Sequence, residues 1–263
     1  MELRVISFNI RCRDDKNGHS VKERAPRLYD AVSALTPDIL GFQEYTPLWE
    51  EPIERYFGAE YDLFYQYRTR TGWIETAPIL WRRDRFDCQR RGIFWLSDTP
   101  EVESRGWDRL DHNRICTYAI LRERSSGEEF LFMNTHLGFG DDCQCKSVRL
   151  ICEYSRRLAD LPTVLTGDFN MTHEAPAYRE ITALMRDVNT ATVNDMRPTY
   201  HGYDPSEHSD LHGEDHEKLL IDYCFIDKGV RPLDYKRIDN TYNGKYPSDH
   251  FGVFALLSIG GHK

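Results

Sequence analysis

Apolar and polar residues alternate with a period of two through Leu3-Arg4-Val5-Ile6-Ser7-Phe8-Asn9-Ile10, which predicts a strand carrying an amide near its end. Strand-like runs recur over 37–44, 128–133, 162–166, 219–226 and 252–257. Helical spacing lies between them. The stretch 23–35 sets Leu28, Val32 and Leu35 on one face, and 46–57 sets Trp49, Ile53 and Tyr56. A third helix is predicted over 146–158, closed by Leu161-Pro162, and a fourth over 175–185. Residues 60–98 read as several strands broken at Thr71-Gly72 and Arg91-Gly92. Strand, helix, strand, helix, then mostly strands predicts an α/β protein in which two packed sheets are covered outside by helices.

Composition narrows this picture. At 263 residues the chain can bury a core without staples, and no linker, low-complexity segment or repeat divides it, so one domain over 1–263 is expected. No apolar run approaches the ~20 residues of a membrane span. A strand beginning within three residues of Met1 leaves no room for a signal peptide, and a cytoplasmic location is expected. The seven cysteines lack paired spacing and read as reduced thiols. Cys143-Gln144-Cys145 is spaced too tightly for a zinc knuckle and reads as incidental. The charge balance, 34 − 43 = −9, argues against gripping long duplex DNA through many phosphates. Arg68, Arg70, Arg82, Arg83, Arg85, Arg90 and Arg91 crowd one stretch, and most read as solvent-facing positions.

The predicted strands end on chemistry. Asn9, Glu44, Asn134 with His136, Asp168 with Asn170, Asp222, and the pair Asp249-His250 all lie within or beside apolar runs. Burying an unpaired carboxylate or imidazole costs several kcal/mol. Gathered at one place, these groups could satisfy one another and a metal. Taken singly, Gly167-Asp168-Phe169-Asn170 is equally readable as a polar turn.

In order along the chain, these motifs resemble those of the endonuclease/exonuclease/phosphatase superfamily, which includes deoxyribonuclease I, apurinic endonucleases, deadenylases, neutral sphingomyelinases and inositol-polyphosphate 5-phosphatases. The resemblance runs from Leu3 to about Ser258. The stretches 75–81, 94–97 and 106–108 look like a bacterial branch of undetermined substrate, nearer the deadenylases than the deoxyribonucleases. The resemblance implies a four-layer α/β sandwich, two mixed sheets flanked by helices, with the active site at one end of the sheets. It implies a divalent-metal-dependent phosphoesterase.

Glu44 is the expected metal ligand, with Asp249 contributing to the metal shell. Such a sparse oxygen set fits Mg²⁺ or Mn²⁺ better than zinc. Asp168 is expected to handle the attacking water, helped by Asn170, while His136 and His250 contact phosphoryl oxygens. By analogy with the family, Glu75 pairs with His136 and Asp222 with His250. Asn9 completes the polar floor. Arg114, in the segment that resembles the family's substrate-side loop, is the expected phosphate-binding arginine.

The segment 201–216, HGYDPSEHSDLHGEDH, reads as a solvated, substrate-facing loop and departs from the relatives, which place a basic residue directly before the Ile-Asp-Tyr strand. The leading expectation is hydrolysis of a phosphodiester: a single-stranded nucleic-acid end, a nucleotide-like molecule or a lipid headgroup. A phosphomonoesterase on a sugar or inositol phosphate is the alternative; absence of a Trp-Cys-Asp-Arg stretch weighs against the inositol 5-phosphatases. A noncatalytic binding module would have lost part of this set, and no protein partner is evident.

Overall fold

Strands buried on both sides need apolar residues on both faces, and the first strand has them. In β1 (Glu2–Asn9), Leu3 and Val5 join one apolar cluster while Ile6 and Phe8 join another. The computed structural model describes residues 1–203 and 219–260. Among these, one six-stranded sheet contains β1, β2 (Ile39–Gln43), β3 (Tyr61–Phe64), β4 (Ile79–Arg82), β11 (Val230–Ile238) and β12 (Gly252–Ile259), ordered β11-β12-β1-β2-β4-β3. The other contains β5 (Phe86–Trp95), β6 (Ile115–Glu123), β7 (Glu129–His136), β8 (Thr163–Asp168), β9 (Arg186–Asp187) and β10 (Asp222–Ile226), ordered β5-β6-β7-β8-β10-β9. Each sheet is mixed: β1–β2 and β7–β8 run parallel and the other pairs antiparallel.

Helices α1 (Val21–Ser33) and α2 (Pro47–Phe57) cover the first sheet, burying Leu28, Val32, Trp49 and Ile53 against Phe8 and Phe42. Helices α3 (Asp141–Leu158) and α4 (Pro176–Thr182) cover the second with Val148, Ile151 and Ile181. A third cluster, including Val5, Ile39, Phe130, Phe132 and Val164, fills the space between the sheets. The result is the expected four-layer sandwich. No helix of the described residues is long and apolar enough to cross a membrane.

Between that apolar end and the strand termini lies a polar belt. Asn134 on β7 is fully buried and donates to the carbonyls of Phe42 (2.7 Å) and Pro78 (2.8 Å) on the opposite sheet. Its oxygen accepts from Gln43 Nε2 (2.7 Å) and Thr166 Oγ1 (3.1 Å). One amide thus uses its full donor set to clamp two sheets. Gly41 permits the close approach, because a Cβ there would lie 2.5 Å from Thr166 Oγ1 and 2.7 Å from Asn134 Oδ1.

Three local expectations change. Arg91-Gly92 lies inside β5 rather than at a turn, and Gly92 is needed because Tyr118 crosses opposite it, 2.7 Å from where a Cβ would sit. Helix α3 begins at Asp141, five residues before the predicted start; Asp141 and Asp142 occupy the first turn, where negative charge favours the helix dipole. Helix α1 begins at Val21, capped by Ser20, whose side chain accepts from Glu23 N–H while Glu23 reaches back to Ser20.

Asp187 on β9 is buried beneath α4, accepting from Tyr178 Oη (2.8 Å) and Asn189 N–H (2.9 Å). Burial raises its pKa more than these bonds lower it, to about 6. The folded state therefore binds an extra proton between 3.8 and about 6, and stability is lost as pH rises through that window, about 3 kcal/mol in total. Asp187→Asn should match wild type in urea unfolding near pH 4 and exceed it at pH 7; no gain at pH 7 would contradict the assignment. Asn134→Ala should lower unfolding free energy by on the order of 2 kcal/mol or more, since it removes the buried amide that bonds Gln43, Thr166 and the Phe42 and Pro78 carbonyls. An unfolding midpoint within experimental error of wild type would rule the belt out as a clamp.

Candidate active site

Beyond the belt, the inner face of both sheets turns polar at one level. Strand register does this. His136 is the partner of Asp168 across β7–β8, and Asp222 the partner of Asp168 across β8–β10. On the facing sheet, Asn9 is the register partner of Gln43, the residue before Glu44. Period two keeps these side chains on the inner face, continuing the apolar rows Leu3-Val5 and Phe130-Phe132.

Asp168 is 1% exposed and sits at the centre. Its Oδ2 accepts from Asn9 Nδ2 (2.9 Å), and its Oδ1 from the Asn170 backbone N–H (2.9 Å). The Nε2 atoms of His136 and His250 lie 3.6 and 3.8 Å from Oδ2. Each imidazole is oriented from behind by a carboxylate: His250 Nδ1 is 2.9 Å from Asp222, and His136 Nδ1 is 3.2 Å from Glu75. Burial alone would push the His250 imidazole down, but Asp222, Asp168 and Asp249 hold it up at about 10. Burial also pushes the Asp222 and Asp249 carboxyls up.

Glu75 differs from Asp222 in having three donors. Arg68 Nη1 (3.0 Å) and His136 share its Oε1, and Trp73 Nε1 (3.0 Å) donates to Oε2. Burial opposes ionisation there, but Arg68, His136 and Arg114 hold the carboxyl well below its usual range. Across the cleft, Glu44 adopts φ 63°, a left-handed backbone that non-glycine residues seldom take outside special sites. It accepts from Asn9 Nδ2 (3.0 Å) and the Cys12 N–H (2.8 Å). Burial and Glu75 push it up, yet His136, Arg11 and the Cys12 thiol bring it to about 2, so it is ionised. Asp249 pairs with Arg11 (3.4 Å) and accepts from Ser248 Oγ (3.1 Å).

Two groups of side chains could hold a cation. Asp168, Asp222 and His250 place one ligand atom each within 4.8 Å of one another. The His250 imidazole is already bonded to Asp222 and held protonated, however, and an imidazolium repels a metal. Glu44 and Asp249 offer two carboxylates that open on the same pocket, Glu44 ionised and Asp249 paired with Arg11. Hard oxygen donors of this kind suit Mg²⁺ or Mn²⁺.

The pocket is about 400 Å³ and brings together Glu44, Glu75, Arg114, His136, Asp168, Asn170, Asp249 and His250. Asn9 and Asp222 lie beneath it, bonded to those groups. Asn170 spends its side-chain N–H on the Leu137 carbonyl (2.9 Å), which leaves its oxygen for other work. Arg114 is buried, pairs with Asp108 through Nε (2.7 Å), and its Nη1 has no hydrogen-bond partner among the described residues.

Several residues escaped the sequence reading. Arg68 is not a solvent-facing strand position; it is 3% exposed, lines the pocket and pairs with Glu75. Arg11, two residues past Asn9, also lines the pocket, with Trp73 and Tyr200. Position just beyond a strand end was the available signal for Arg11. His201 is buried against Phe251, ring centroids 4.1 Å apart, and not solvated. Residues 204–216 of the His- and acid-rich segment lie outside the described residues, as does Lys218. All seven cysteines are free, with Cys143 and Cys145 in the first turns of α3.

Two facing sheets that deliver carboxylates, paired histidines and arginines to one cleft define a hydrolase-type centre for an anionic ester. The chain belongs to the Endonuclease/Exonuclease/phosphatase family, whose sequence profile matches residues 6–250. It is similar to a solved family protein of Bacteroides thetaiotaomicron, with 28% identity, TM-score 0.86, and coverage of 99% of this chain and 98% of that one. It is equally similar to the mannosyl-6-phosphatase of the same bacterium, at 28% identity, TM-score 0.85, and 98% and 100% coverage. An uncharacterized protein of Acanthamoeba polyphaga mimivirus is 25% identical over 275 residues, 97% of this chain and all of that one. Membership places the chain among phosphoester-cleaving hydrolases.

The His250–Asp222 pair makes a prediction. In metal-free buffer the His250 ring should stay protonated through pH 8 by NMR, and Asp222→Asn should bring its titration down by more than one unit. A His250 that titrates near 6.5 in wild type would contradict the pairing.

Proposed function

We propose that this protein is a divalent-cation-dependent phosphoesterase, acting as one domain, that hydrolyses a small phosphorylated molecule by attack of an activated water. The observation that carries the proposal is Asp168, held by Asn9 and Asn170 between two imidazoles that are each backed by a carboxylate. Glu44 and Asp249 would hold Mg²⁺ or Mn²⁺, which supplies positive charge to the phosphoryl oxygens when bound.

The chain's own groups do the rest. Asp168 accepts the proton of the attacking water, and Asn170 orients that water through its free oxygen. His250, charged by its three acidic neighbours, donates a hydrogen bond to a phosphoryl oxygen and is poised to protonate the leaving oxygen. His136 donates to a second oxygen. Arg114 turns its unpartnered Nη1 to the ester's remaining negative charge. Asn9 ties Glu44 to Asp168 and fixes the spacing between the two halves.

Two observations move a sugar phosphomonoester ahead of the phosphodiester. A pocket of about 400 Å³ matches a single small molecule, and the similar protein at 28% identity is a mannosyl-6-phosphatase. Initial rates on a hexose 6-phosphate, a nucleoside monophosphate, a dinucleotide and a short RNA, with Mg²⁺, Mn²⁺ or EDTA, test this. We expect the hexose ester to turn over fastest, EDTA to abolish the rate, and Asp168→Asn and Glu44→Gln each to lower kcat by ~10³-fold or more. Turnover of none of these substrates under either metal would overturn the proposal.

A further inference from the structure

Trp73 stands out among the residues around this pocket because it is 46% exposed while its indole N–H is fixed to a buried carboxylate. It belongs to none of the three apolar clusters. Glu75 could be satisfied by any donor, so the large indole face is left without a structural task. Its loop is tied down on both sides. Arg68 and Glu75 anchor it inward at 3.0 Å, and Thr69 Oγ1 and the Arg70 N–H anchor it outward on Glu103 at 2.9 and 3.2 Å. Gly72, at φ +79°, makes the turn that presents the ring.

A second residue of the lining carries the same signature. Leu110, on the loop before β6, is 51% exposed and lines the same pocket. Two exposed apolar side chains therefore rim the pocket that holds Glu44, Asp168 and the two histidines, with Phe139, Leu219 and Ile221 also in its lining. Glu75 alone separates the Trp73 N–H from His136 Nδ1, because it accepts from both. A ring seated on the indole lies one group away from a phosphate held by the two histidines.

We propose that Trp73 is the specificity residue for the leaving group: it stacks against the face of a sugar ring esterified to the phosphate, with Leu110 closing the other side. This rests on the phosphoesterase reading above. Aliphatic C–H faces of a pyranose pack on indole, and an aromatic held in place loses little entropy on binding. A ring-free phosphoester would leave the platform unused.

Kinetics with Mg²⁺ on hexose 6-phosphate, glycerol 3-phosphate and a nucleoside 5′-monophosphate test it in wild type, Trp73→Ala and Trp73→Phe. Trp73→Ala should raise KM for the hexose ester at least tenfold, change that for the acyclic ester less than twofold, and leave kcat for both within threefold. Trp73→Phe keeps a ring but loses the N–H to Glu75, and should hold KM for the hexose ester within threefold of wild type. Three results would overturn the proposal: an unchanged KM for the hexose ester in Trp73→Ala; equal falls in kcat on all substrates in both variants, which would mean that the indole acts through Glu75; or a larger KM effect for the nucleotide than for the hexose ester. If wild type turns over none of them, the phosphoesterase reading fails alone. Calorimetric titration of the same esters in EDTA then decides on Trp73 by the same ratio of Kd values.

Discussion

Two sheets that each bury both faces can assemble one active site only if something fixes how they sit on each other, and here that is the carboxamide of Asn134. It reaches across from β7 to the carbonyls of Phe42 and Pro78 and receives Gln43 in return. Apolar packing has no direction and would tolerate sliding; three cross-sheet hydrogen bonds at a single amide do not. The belt lies two residues before His136 on β7 and beside Gln43, one residue before Glu44. Fixing Asn134 therefore fixes the distance between the half-site on one sheet and the half-site on the other. Asn9 repeats the device one layer on, bonding Glu44 and Asp168 with a single amide.

Electrostatics explains why so many acids can crowd this layer. Glu44, Glu75, Asp168, Asp222 and Asp249 are balanced by Arg11, Arg68, the histidines and, for Glu75, the more distant Arg114 rather than by solvent. The balance is uneven. Glu75 is saturated by Arg68, Trp73 and His136, whereas Asp222 relies chiefly on His250, which keeps its proton as a consequence. Burial pushes the Asp249 carboxyl up despite His250 and Arg11, and it faces the same pocket as Glu44. A hard cation held by Glu44 and Asp249 would add positive charge to this acid-rich layer.

The parity of the strands was legible in the sequence. Leu3-Val5-Ser7-Asn9 and Phe130-Phe132-Asn134-His136 each run from apolar to polar on one face, and that gradient alone locates the layer of the site. What the alternation does not encode is cross-chain partnership. Glu75 sits in a loop with no periodicity and was reached only through resemblance. Arg68, seven residues earlier, looked like one of several surface arginines because its burial depends on Glu75 and His136, contacts made by tertiary packing. Gly92 looked like a turn for a related reason: glycine marks a turn or a close approach with the same letter, and Tyr118 on the neighbouring strand decides between them. Asn134 was visible as a polar residue in an apolar run, but its work as a clamp needed the facing sheet.

In the proposed division of labour, Glu44 and Asp249 would hold the cation, while Asp168 and the histidines would handle the attacking water and the phosphoryl oxygens. Anomalous diffraction from crystals soaked in Mn²⁺ tests this most directly. A strong peak within ligand distance of the Glu44 carboxylate, with His250 still bonded to Asp222, is the predicted result. A peak among Asp168, Asp222 and His250 with Glu44 left free, or no ordered ion at saturating Mn²⁺, would contradict it.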